Sequence, residues 1–395
     1  MDCRKVPMEY TLVAKSIGKK MKTYSCVCGQ LIFFQNVACV NCGRELGFLP
    51  EELRLASIEP AGEGLWRPTG VGQSQNQEGL HRKCQNYVKA AVCNWMIPEK
   101  EKDETFCASC RLNEVIPDLS NDINVGLWAL VEAAKRRVVY SLIRLNLPIA
   151  RKKDAPQSGL AFRFLSDIVN PDGTTTKVLT GHDEGVITLN IAEADDATRE
   201  TVRHAMKEPY RTLLGHFRHE IGHYYWDRLV RGTNFLEPYR DIFGDERADY
   251  QQALNQYYQS GALANWQDNY ISAYATAHPW EDWAETWAHF LHIQDALEVA
   301  NDFGLVGKRI LIDPQETNGR PRVSQEQSNF DDVIVAWAEF AVALNSINRS
   351  MGLPDLYPFV LSHAVIAKLR FVYEVISGGA APTLQTISAG SEARR

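Results

Sequence analysis

The stretch Leu213-Leu214-Gly215-His216-Phe217-Arg218-His219-Glu220-Ile221-Gly222-His223-Tyr224-Tyr225-Trp226 decides how this chain is read. From Asp195 onward the pattern is helical nearly to the end of the chain, and Pro209 splits one helix (about 196–207) from the next (about 210–231). On that second helix His219 and His223 lie four apart on one face, so both imidazoles can reach a single zinc ion. Glu220 projects toward the side of the same site. A carboxylate there can take a proton from a metal-activated water and later return it to a leaving amine. Gly215 and Gly222 stand seven apart on one side of the helix. A glycine in a helix interior costs ~1 kcal/mol relative to alanine, so two of them point to a second helix packed closely against this one.

The segment that fits as the partner helix is His278-Pro279-Trp280-Glu281-Asp282-Trp283-Ala284-Glu285-Thr286-Trp287-Ala288-His289-Phe290-Leu291-His292. At ~100° per residue, Glu285, His289 and His292 fall within about 80° of Glu281. Trp280, Trp283 and Trp287 cluster on the other side as a core face, and Ala284 and Ala288 border the polar stripe. Packing those alanines on the two glycines would bring Glu281 to the histidines as a third ligand. Two rivals stay open: Glu285, and Glu246 in the acidic run Gly244-Asp245-Glu246-Arg247-Ala248-Asp249, whose plainer reading is a solvated turn and helix start. Asp227, four after His223, could accept that ring's other N–H. His216 is expected beside the site or simply buried. His289 and His292 are expected in helix packing or in the cleft, and His182 in a glycine-bounded turn.

Working outward, Trp128, Val131, Ala134, Val138 and Leu142 give helical spacing over Asn121–Asn146. Strand alternation follows at Leu160, Phe162 and Phe164 and again over Val186–Ile191. HExxH peptidases pair extended substrate with the backbone of an edge strand ahead of the zinc helix, and the resemblance of His219–His223 to that motif implies the same role for the latter strand. Helices are expected at about 329–349 and 358–376, with a disordered Gly/Ala/Ser/Thr tail over 377–395.

Toward the N-terminus the cysteines carry the signal. Of nine, eight lie between Cys26 and Cys110. Cys26-Val27-Cys28-Gly29 and Cys39-Val40-Asn41-Cys42-Gly43 flank the strand-like Leu31–Phe34 and read as a zinc ribbon with four thiolate ligands. Cys84, Cys93, Cys107 and Cys110 form a second four-cysteine set, with His81 near enough to replace one member. Residues 62–77 between the clusters are rich in Gly and Gln and read as a loop. A region this short buries little core, so bound metal is expected to supply much of its folding free energy. Residues 1–23, with Cys3 and five Lys/Arg among the first twenty, read as a flexible extension, and Met21 is a candidate start.

At 395 residues the chain has room for about two to three domains of ~150 residues. Its 45% hydrophobic and 23% charged residues are ordinary for a globular protein and exclude a disordered or fibrous one. The formal net charge of −7 argues against a nucleic-acid partner held through phosphates. No apolar run is long enough to span a membrane, and Met1-Asp2-Cys3-Arg4-Lys5 has no signal-peptide core. A cytoplasmic location is expected.

The chain resembles a bacterial family of zinc-binding metallopeptidases with an N-terminal zinc ribbon. The resemblance rests on Cys107–Arg111, Gly185–Asn190, Tyr210–Trp226 and His278–Leu291, and covers roughly residues 24–376. It implies a peptidase without naming a substrate. A more distant similarity joins the HExxH pattern to lethal-factor-like peptidases, which place a Tyr seven residues before a Glu-x-x-Ala-Glu motif. Tyr274 and Glu281-Asp282-Trp283-Ala284-Glu285 fit that pattern. The match implies Glu281 as third zinc ligand, Tyr274 as donor to the oxyanion, and Glu285 as the group that orients a ligand histidine. Tyr270 and Tyr357 are the alternatives to Tyr274.

The expected fold class is α+β. Zinc-ribbon modules over 24–118, with two four-cysteine sites, precede a mainly helical zincin-like (gluzincin) domain over 119–376 with a small sheet. The expected activity is zinc-dependent hydrolysis of a protein or peptide, with one catalytic and two structural Zn²⁺ ions. The alternatives are a ribbon that recruits a protein partner beside an inactive HExxH domain, or a zinc amidase acting on a non-peptide bond. Oligomeric state is left open.

Overall fold

The computed structural model describes residues 23–69, 79–196, 199, 212–306, 330–357 and 360–379. The extension before Thr23, most of the helix expected at 196–207, and the tail from residue 380 lie outside them.

Two knuckles open the described chain. The hairpin of β1 (Thr23–Ser25) and β2 (Leu31–Phe33) turns at Cys26–Gly29, where Gly29 takes the positive φ of 84° that its N–H to the Cys26 carbonyl requires. Gly43 (φ 72°) repeats the device, donating to the Cys39 carbonyl. An antiparallel five-stranded sheet follows, in the order β3 (Leu46–Leu49), β4 (Arg54–Gly62), β5 (Leu65–Thr69), β6 (His81–Lys83), β7 (Met96–Pro98). A four-residue helix α1 (Gln85–Val88) sits between its last two strands.

Two expectations fail here. Part of the Gly-rich stretch is not a loop: Gly62 and Gly64, both at positive φ, make a tight turn that folds β5 back on β4. The region also buries a substantial core. Phe34, Phe48 and Trp95 pack edge to face and tilted on one another and on Tyr140 of the long helix α2 (Asp122–Arg144). One hydrophobic core therefore runs from Tyr24 to Ile376. Apolar burial as well as metal holds the cysteine region together.

A mixed sheet forms the β part of the second half, in the order β12 (Gly181–Asp183), β13 (Val186–Asn190), β9 (Ala161–Leu165), β8 (Asn113–Val115). A small hairpin, β10 (Ile168–Val169) and β11 (Thr175–Thr176), lies apart. β8 precedes the boundary expected at 118 yet pairs in parallel with β9, so the two halves share this sheet. β13 is not an edge. It runs parallel to β9 on one side, and β12 pairs antiparallel with Val186–Thr188 on the other, so among the described residues the edges of this sheet are β12 and β8.

Phe162 and Phe164 of β9 pack on Phe217 of α3 (Leu213–Leu229). α3 starts later than the periodicity implies because Thr212 caps it, its hydroxyl accepting the Gly215 N–H at 2.9 Å. Then come α4 (Leu236–Phe243), α5 (Tyr250–Ser260), the buried α6 (Pro279–Asp302), α7 (Phe330–Ser350) and α8 (His363–Gly379). α8 begins about five residues later than expected and runs past Ser377 to Gly379, so the expected tail does not start at 377. α3 lies directly on α6. A Cβ added at Gly222 would stand 3.0 Å from Ala284 Cα, and the Trp283 indole N–H donates to the Gly222 carbonyl at 2.8 Å.

Candidate metal centre

The close approach of α3 and α6 brings three buried side chains together. The Nε2 atoms of His219 and His223 are 3.1 Å apart. Glu281 Oε2 lies 3.0 Å from His219 Nε2, and Oε1 lies 3.6 Å from His223 Nε2. One ligand atom from each lies within 4.8 Å of the others. Burial alone would push the His219 pKa down, but the Glu281 and Glu285 carboxylates outweigh it and raise it well above its ordinary value. Burial would likewise raise Glu281, yet the two imidazoles hold it well below the usual carboxylate range. Glu281 Oε2 is nonetheless buried, with no hydrogen-bond partner among the described residues. Two imidazole nitrogens and a carboxylate oxygen around an unsatisfied lone pair suit Zn²⁺ with a fourth position open.

The surrounding groups fix these side chains. His219 Nδ1 donates to Glu285 Oε1 at 2.7 Å, which turns Nε2 toward the centre, and Ser272 donates to Glu285 Oε2 at 2.6 Å. Against the cost of burial, the His219 contact holds the Glu285 carboxyl down at about 2. Tyr250 donates to Glu281 Oε1 at 2.6 Å. The Trp280 ring packs 3.9 Å from that of His223.

Glu220 is buried beside the centre, with Oε1 3.2 Å from His216 Nε2. His216 donates through Nδ1 to Glu193 Oε2 at 2.6 Å. Burial opposes a charge on His216, but Glu193 and Glu220 raise its pKa to about 9. The imidazolium in turn keeps Glu220 below its ordinary value despite burial. Tyr274, in a short 3-10 turn (Tyr274–Thr276), has its ring 5.9 Å from that of His219. Burial, then the Glu281 charge, raises its pKa and keeps it a protonated donor.

Other expected residues lie elsewhere. Asp227 pairs with Arg231 at 2.9 Å and does not accept from His223, whose Nδ1 has no hydrogen-bond partner among the described residues. Glu246 is gripped by two nitrogens of Arg240, away from the centre. Tyr270 lies under the Lys368 ammonium, and Tyr357 bonds His289. His292 bonds Arg218, so His289 and His292 both serve packing.

Spacing missed four groups at the centre. Tyr250 and Ser272 arrive from other elements. Trp280 was assigned to the core face. His182, read as a turn residue, lies on β12 with its ring stacked 6.3 Å from His223, accepting the Gly185 N–H. Only the Tyr274 motif, two residues on, hinted at Ser272.

Both cysteine sets assemble without exchanging ligands. In the first, Cys26 Sγ is 3.5 Å from Cys42 Sγ, and Cys28 Sγ is 3.7 Å from Cys39 Sγ. The second, Cys84, Cys93, Cys107 and Cys110, is wholly buried, and backbone N–H groups of Trp95, Cys107 and Cys110 point at its sulfurs. His81 takes no part, since it pairs with Glu51. Four sulfurs with amides aimed at them fit structural zinc.

Residues 124–375 match a family model described as "Putative zinc-binding metallo-peptidase". The chain belongs to this zinc-binding metallopeptidase family. Residues 23–121 match a zinc-ribbon domain. Proteins of Mycobacterium tuberculosis and Mycobacterium bovis, described as uncharacterized, are 42% identical over 358 residues, covering 90% of this chain and 95% of theirs. No solved structure matches the chain. Among the described residues, no helix of this family member is long and apolar enough to cross a membrane.

Proposed function

We propose that the chain hydrolyses peptide bonds in a protein or peptide at the His219–His223–Glu281 centre. The observation that carries this reading is the meeting of those three side chains beside the buried Glu220, whose carboxylate faces His216 at 3.2 Å. When bound, zinc would supply Lewis acidity toward the substrate carbonyl and lower the pKa of water. Glu220 takes the proton of the attacking water and passes it to the departing amine. The His216 imidazolium, itself held by Glu193, keeps Glu220 ionised and aimed. Tyr274 donates toward the oxyanion as charge develops there. The β12 edge of the sheet offers backbone groups to an extended substrate, with His182 facing the same centre.

The zincin-like reading of the domain belongs to this proposal, as do a cytoplasmic location and two structural zincs in the cysteine sites. The test is metal analysis. Three zincs per chain are expected for the wild type and two for His223→Ala. One zinc or none in the wild type would overturn the modular reading.

A further inference from the structure

The acidic run Gly244–Asp249, read as a solvated turn, is docked on the N-terminus of α6. Gly244 takes a φ of 104°, and a Cβ there would stand 3.2 Å from Pro279 Cγ. His278 caps α6 by accepting the Trp280 N–H on Nδ1 at 3.1 Å, which leaves Nε2 protonated to face the Ala248 carbonyl at 3.2 Å. Asp249 then caps α5 and places Tyr250 at its first turn. The Tyr250 ring packs on His278 and Trp280, and its hydroxyl reaches Glu281 Oε1. These contacts join the run to four consecutive residues, 278–281, at the start of α6, the last of them Glu281 itself.

We propose that this segment is a clasp whose purpose is to deliver Tyr250 as a positioning residue for Glu281. The inference rests on the metallopeptidase reading of the centre. Each of two ligands has a dedicated holder: Glu285 for His219, and Tyr250 for Glu281. By bonding Oε1, the phenol restrains rotation of the carboxylate and favours the unpartnered Oε2 as the oxygen offered to a metal. Groups that hold a ligand in this way typically govern metal affinity by about 10–100-fold. Tyr274 has no hydrogen bond to any ligand among the described residues, which separates the two phenols: one holds the centre, the other is free for substrate.

The test is chelator competition on the full chain with zinc alone, comparing wild type, Tyr250→Phe and Tyr274→Phe. Tyr250→Phe should weaken the third zinc about 10–100-fold while both cysteine-bound zincs and the circular dichroism spectrum stay unchanged. Tyr274→Phe should leave the zinc Kd within about twofold. In a Glu281→Ala background the hydroxyl has nothing to hold, so adding Tyr250→Phe should change the residual Kd by less than about twofold, which general structural damage would not produce. If the wild type takes up no third zinc, the metallopeptidase reading fails. If the third zinc binds and Tyr250→Phe leaves its Kd unchanged, the positioning inference fails alone, and a fall in kcat would then place the phenol on substrate.

Discussion

Replacing Gly222 by alanine should loosen the metal centre without touching any ligand. The added Cβ would meet Ala284 Cα at 3.0 Å, Trp287 Cβ at 3.2 Å and the Ala284 carbonyl oxygen at 3.3 Å. Ordinary carbon contacts lie at about 3.5–4.0 Å, so α3 and α6 must part by a few tenths of an ångström at this point. Two of the three atoms are backbone and cannot swing aside. Overpacking of this kind costs about 1–3 kcal/mol, offset by the ~1 kcal/mol that alanine gains over glycine in a helix. The net is destabilisation of about 1 kcal/mol, a fall of roughly 2–4 °C in melting temperature for a domain of this size. Zinc affinity should suffer more, because His219 and His223 ride on α3, Glu281 rides on α6, and ligand distances tolerate only about ±0.2 Å. A loss of about tenfold or more in Kd is expected. Gly126→Ala is the internal control: its Cβ would meet nothing within 4 Å inside α2, so it should stabilise by up to ~1 kcal/mol with zinc binding unchanged. Thermal melting and chelator competition read both effects. A Gly222→Ala protein that melts higher and binds zinc as the wild type does would refute the claim that the α3–α6 contact sets the ligand geometry.

The two cysteine sites should differ in what they hold up. Cys107→Ser, in a wholly buried set within the shared core, should lower the melting temperature of the whole chain. Cys28→Ser, at an exposed ligand, should lose a zinc with a smaller drop. Lys368 pairs with the fully buried Asp282 at 2.6 Å, and even so burial holds that carboxyl up at about 7. Lys368→Met should therefore leave Asp282 protonated without its partner and cost about 1–3 kcal/mol in a urea titration, and adding Asp282→Asn should restore part of it. Burial pushes the His289 pKa down to about 4 from 6.5. The unfolded chain then takes up that proton first, so stability should fall as pH drops from 6.5 to 4, by up to about 3 kcal/mol. His289→Gln should flatten this part of the stability profile relative to the wild type, seen as urea midpoints at pH 7.5 and 4.5.

The sequence exposed whatever repeats within a helix or a short loop. His219, Glu220 and His223 are set by a four-residue spacing, and Gly222 against Ala284 could be inferred because only small residues permit that approach. The cysteine knuckles were legible for the same reason: each is a local turn. The contacts that needed distant chain were not. Tyr250 meets Glu281 across 31 residues, and nothing in Gly244–Asp249 announces that Gly244 fits Pro279 or that Ala248 faces His278. Asp227 failed because i,i+4 spacing permits a contact but does not choose between His223 and Arg231, and the guanidinium offers the stronger pairing. The edge-strand expectation failed because β12 is only three residues long and sits in the turn sequence that was read as its boundary. The core shared by ribbon and helices was invisible since Phe34, Phe48 and Trp95 show their partner, Tyr140, only in three dimensions.

The measurement that bears most directly on the central claim is cleavage of a denatured protein library by zinc-loaded wild type beside Glu220→Gln loaded to the same zinc content, with new N-termini identified by mass spectrometry. The account predicts new N-termini with the wild type and a rate lower by about 10²–10⁴-fold with the variant. Equal zinc in both proteins, with no cleavage by the wild type beyond that of Glu220→Gln, would contradict it.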